Sequence, residues 1–138
     1  ADTLDDLKRN LQSLANSISS KLNERQGYLD KADEIQKVYD RLARDKKTIK
    51  EYRNDIVYFY KESYNEFKGD NYKYTYKPSI QDLRDSYDDV ISNIDINLDA
   101  LNNQILSYKN KASGCLGSLG YMQIAYNSVK TQIQNWTN

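Results

Sequence analysis

An apolar stripe with an unbroken 4-3-4-3 spacing runs through the second half of this chain: Tyr87, Ile91, Ile94, Leu98, Leu101, Ile105, Tyr108, Ala112, Cys115, Leu119, Met122, Tyr126, Val129, Ile133 and Trp136. Such spacing averages ~3.5 residues, the repeat that keeps one face of a long helix turned toward a neighbouring helix. It predicts a coiled-coil-like second helix whose product is a surface for a partner rather than a reaction chamber.

The first half follows the same period less regularly, through Leu4, Leu7, Leu11, Leu14, Ile18 and Leu22, then Leu29, Ala32, Ile35, Tyr39, Leu42, Ile49, Tyr52 and Ile56. Lys46 and Arg53 fall where apolar residues are expected, and the shift from Ile18 to Leu22 followed by Leu29 predicts a stutter or slight bend near Gly27. A first helix from about residue 3 to 66 follows. Between the stripes, residues 67–78 lose the period and hold the only proline, Pro78. This is an elbow, with Gly69 suited to ending the first helix and Ser79 to capping a second that runs from about 80 to 136. At ~1.5 Å per residue that second helix spans on the order of 85 Å if straight, and the two match in length. The fold class expected is all-α: an antiparallel hairpin of two long helices forming a single domain, 1–138.

Ser113-Gly114-Cys115-Leu116-Gly117-Ser118-Leu119-Gly120 contests the continuous second helix. Three glycines cost about 3 kcal/mol relative to alanine in a helix interior, which favours a hinge unless packing opposes it. Yet Ala112, Cys115, Leu119 and Met122 stay in phase with both sides, which supports a continuous helix whose small residues admit a close neighbour. Both readings stand at this point, with the break placed near Gly114 to Gly120.

Composition removes most chemistry. The chain has no histidine and one cysteine, Cys115, so the commonest general base and the usual metal ligands are missing. No enzyme, cofactor or metal site is expected. On the stripe, Cys115 reads as a small core residue. Twenty basic side chains balance twenty acidic ones, and residues 1–69 carry 14 and 13 of them, so no basic patch argues for nucleic acid. Residues 112–129 carry no charge, but Ser113, Ser118, Gln123, Asn127 and Ser128 make them too polar for a membrane span. No cleavable signal peptide is visible at the start. Tyrosine is abundant, with 13 copies, and Tyr52, Tyr58, Phe59, Tyr60, Tyr64, Phe67, Tyr72, Tyr74 and Tyr76 gather around the elbow. Aromatics with polar tips suit a surface that is alternately wet and covered.

A hairpin with Phe67-Lys68-Gly69 at its bend resembles the WXG100 (Esx) superfamily of type VII secretion, whose elbow bears Trp-x-Gly, and in particular the longer helical proteins associated with LXG toxins in Gram-positive bacteria. The segment Arg25-Gln26-Gly27-Tyr28-Leu29-Asp30-Lys31-Ala32 is similar to the early helix of longer staphylococcal-type members. Phe67 stands where the family has Trp, and no Tyr-x-x-x-Asp/Glu export signal follows the second helix. The resemblance implies a small secreted substrate, or a targeting partner that binds the helical N-terminal domain of an LXG toxin. Such a protein is cytoplasmic before export and secreted or held at the cell surface afterwards. The partner-binding residues expected are Phe67, Gly69 and Tyr72 at the elbow, and Leu101, Ile105, Leu119, Met122, Tyr126 and Trp136 on the second stripe. The alternatives are a self-associating structural coiled coil and a membrane-active hairpin using residues 112–129.

Overall fold

The computed structural model describes residues 3–66 and 77–137, and the side chains of 3–58 and 78–136. They form two helices, α1 (Leu4–Glu66) and α2 (Lys77–Thr137), with no strand among the described residues. The helices pack against each other as a hairpin. The elbow residues Phe67, Gly69 and Tyr72 lie outside the described residues.

Local chemistry accounts for the helix starts. Thr3 caps α1: its Oγ1 accepts from the Asp6 N–H at 3.2 Å while the Asp6 carboxylate accepts from the Thr3 N–H at 3.2 Å, a reciprocal capping box. That backbone hydrogen bond, with help from Arg9 and the Thr3 hydroxyl, holds the Asp6 carboxyl below its ordinary pKa. The cap therefore contributes above the ordinary carboxylate range and is lost as pH falls through the lowered value. α2 begins at Lys77, ahead of the expected Ile80, so Ser79 is inside the helix rather than at its cap. Pro78 explains the early start, because its fixed φ suits the first helical turn and its missing N–H has no helical partner there anyway. Four glutamine pairs reach an acceptor four residues on, from Gln12 to Asn16, Gln26 to Asp30, Gln36 to Asp40 and Gln123 to Asn127, and support the outward faces.

α2 is continuous through the glycine-rich stretch, and no described glycine has a positive φ. The hinge reading is thereby overturned. The close-neighbour explanation is overturned as well within this chain, because a Cβ added at Gly114, Gly117 or Gly120 would meet nothing within 4 Å.

Packing divides the chain into two compact units, one made of Ala1–Glu34 with Gln104–Asn138 and the other of Ile35–Asn103. In the first, Leu7, Ala32, Ile105, Ala112, Cys115 and Val129 are buried; in the second, Ile91, Ile94 and Leu98 are. The stripe read from the second half is thus the α2 seam along its length, except that Trp136 at its end is 55% exposed.

The α1 seam differs from its apolar reading. No stutter occurs: buried or half-buried positions continue in 3-4 spacing through Ile18, Lys21, Arg25, Tyr28, Ala32, Ile35, Tyr39, Leu42, Lys46, Ile49, Arg53 and Ile56. Leu22 and Tyr52, expected on the seam, are exposed. Long cations replace them because their methylene stems can cover apolar surface while their charged ends reach the rim. Lys21 turns to Glu24 at 2.8 Å, Lys46 to Asp95 and Arg53 to Asp88.

The last two pairs set register in the second unit. Lys46 and Arg53 lie one heptad apart on α1, and Asp95 and Asp88 lie one heptad apart on α2 in the opposite direction. A one-heptad slip leaves at least one charge of each kind without its partner. Lys46→Glu is expected to lower stability by about 1 kcal/mol, a small figure because the Asp95 side chain is half exposed and screened by water. Adding Asp95→Lys should recover most of it, as urea unfolding of the single and double variants would read; no recovery would remove the register role.

Candidate partner interface

No group of His, Cys, Asp or Glu suited to a metal occurs among the described residues, and no described helix is long and apolar enough to cross a membrane.

In the second unit the seam has two unlike flanks. Asp88 and Asp95 each follow a seam residue on α2, and Lys50 follows Ile49 on α1, so all three lie on one side of the antiparallel pair. That side holds the two ion pairs and an open cleft of about 350 Å³ lined by Lys50, Arg53, Asn54, Asp88 and Ile91. Tyr52, Leu83 and Val90 each precede a seam residue, which puts them on the opposite flank, and all are about half exposed. Tyr58 and Ile96 face further outward. The second unit therefore has one flank that carries the two ion pairs and the cleft, and another on which Tyr52, Leu83 and Val90 stand half exposed beside Asp45, with Tyr52 in the segment that leads into the elbow.

In the first unit the seam is clasped by aromatic and charged groups. The Tyr28 and Tyr108 rings lie 6.3 Å apart and tilted by 33°, with the Lys111 ammonium 5.9 Å from one ring centre and 5.1 Å from the other. Tyr28 Oη donates to Glu24 at 3.2 Å, and Glu24 also accepts from Lys21. The Lys21 contact holds the Glu24 carboxyl below its ordinary pKa, and the bond to Glu24 pushes the Lys21 ammonium and the Tyr28 phenol up. The Glu24 contribution is present above the ordinary carboxylate range and falls away in acid, while that of Lys21 is present below the ordinary lysine value and is lost as pH rises through the raised one.

The outward face of α2 in this unit carries little charge. After Asp99 the only charged residues are Lys109, Lys111 and Lys130. Leu106, Asn110, Ser113, Gly117, Gly120, Ile124, Asn127 and Thr131 form a second 4-3-4-3 row, all exposed, with Tyr121 beside it 79% exposed and Ile124 itself 69% exposed.

Compared with protein-family models, curated proteins and solved structures, the chain matches none.

Of the residues singled out from sequence, Ile105 is buried and Leu101, Leu119, Met122 and Tyr126 are half-buried on the α2 seam, where α1 occupies the face they would offer a partner. Of those among the described residues, Trp136 alone is exposed. Sequence reasoning missed the second row of α2 because its members are small or polar; the signal that could have found it is the missing charge on the outward side of an otherwise charged protein.

Proposed function

We propose that this protein is a helix-docking protein without catalytic activity, acting as a type VII secretion-associated substrate or as the targeting partner of an LXG toxin's helical N-terminal domain. The observation that carries the docking is the exposure of Tyr52, Leu83 and Val90 on one flank of a seam whose other flank carries the two ion pairs. The secretion context is supported by the resemblance of a two-helix hairpin with Phe67-Lys68-Gly69 at its bend to the WXG100 superfamily. A partner helix lying along this flank would run toward the aromatic elbow, where Phe67, Gly69 and Tyr72 would fix its orientation. Large aromatic anchors concentrate binding energy in such contacts.

The test is a titration with the helical domain of a toxin encoded beside this protein. Tyr52→Asp and Val90→Asp should each weaken binding by at least roughly thirtyfold with helicity unchanged, the effect of losing an interface anchor. Phe67→Ala should weaken binding or export in the same way. Wild-type affinity in both flank variants would sink the docking surface, and wild-type export of Phe67→Ala would remove the elbow from it.

A further inference from the structure

We draw no further inference here: the strongest candidate, the open cleft of the second unit where Lys50 stands beside the Arg53–Asp88 pair, carries nothing, because Lys50 is exposed to water and nothing in the structure shows what would fill the cleft.

Discussion

Replacing Ile105 with aspartate is expected to cost about 4 kcal/mol of folding stability at neutral pH, the largest loss from any single change considered. Ile105 is 4% exposed and sits in the seam of the first unit, so the substitution removes a buried aliphatic side chain and puts a carboxylate in its place. Small proteins hold only ~5–15 kcal/mol in all, so a third or more of the reserve is at stake. The loss should shrink in acid as the introduced carboxyl protonates, because the neutral form is far less costly to bury. Asp99→Asn, at an exposed position on the same helix, should change stability by under ~0.5 kcal/mol. Urea unfolding at two pH values separates the cases; similar losses from the two changes would mean that the seam assignment is wrong.

The opposite sign is expected from the glycines. Changing Gly114, Gly117 and Gly120 together to alanine should raise the stability of the single chain by about 3 kcal/mol, or roughly 10 °C in melting temperature, since each lies in the interior of α2 with open space where its Cβ would go. Even leucine at Gly117 should leave the isolated hairpin intact, because no helix of this chain stands there to be pushed away. The melt must be recorded at a concentration low enough to keep the chain monomeric. A fold destabilised by the three alanines would show that the backbone there needs glycine's freedom, contrary to the continuous α2.

The two halves of the sequence were unequally legible. The α2 seam could be read residue by residue, because every position from Ile91 to Ile133 in its row is apolar and the period alone identifies the buried face. On α1 the same method misplaced Leu22 and Tyr52 and invented a stutter, since it followed hydrophobicity where the seam follows Lys21, Arg25, Lys46 and Arg53. A long cation is polar by its end group and apolar by its stem, and which of the two counts depends on whether a carboxylate waits across the groove. For Lys46 and Arg53 it does, in Asp95 and Asp88.

Helix type, the continuity of the stripe and the pairing of two helices of similar length are properties of period and length, which are local in the chain and need no knowledge of what packs on what. The register lock, the two unlike flanks of the second unit, the aromatic clasp around Lys111 and the uncovered row of α2 are different in kind. Each depends on residues distant in sequence meeting, or failing to meet, across the seam. The glycine stretch shows the division most plainly: its composition allowed a hinge or a close contact, and only the packed structure could decide that it is no hinge and that nothing of this chain lies against it, because an empty space beside a residue leaves no mark in the sequence.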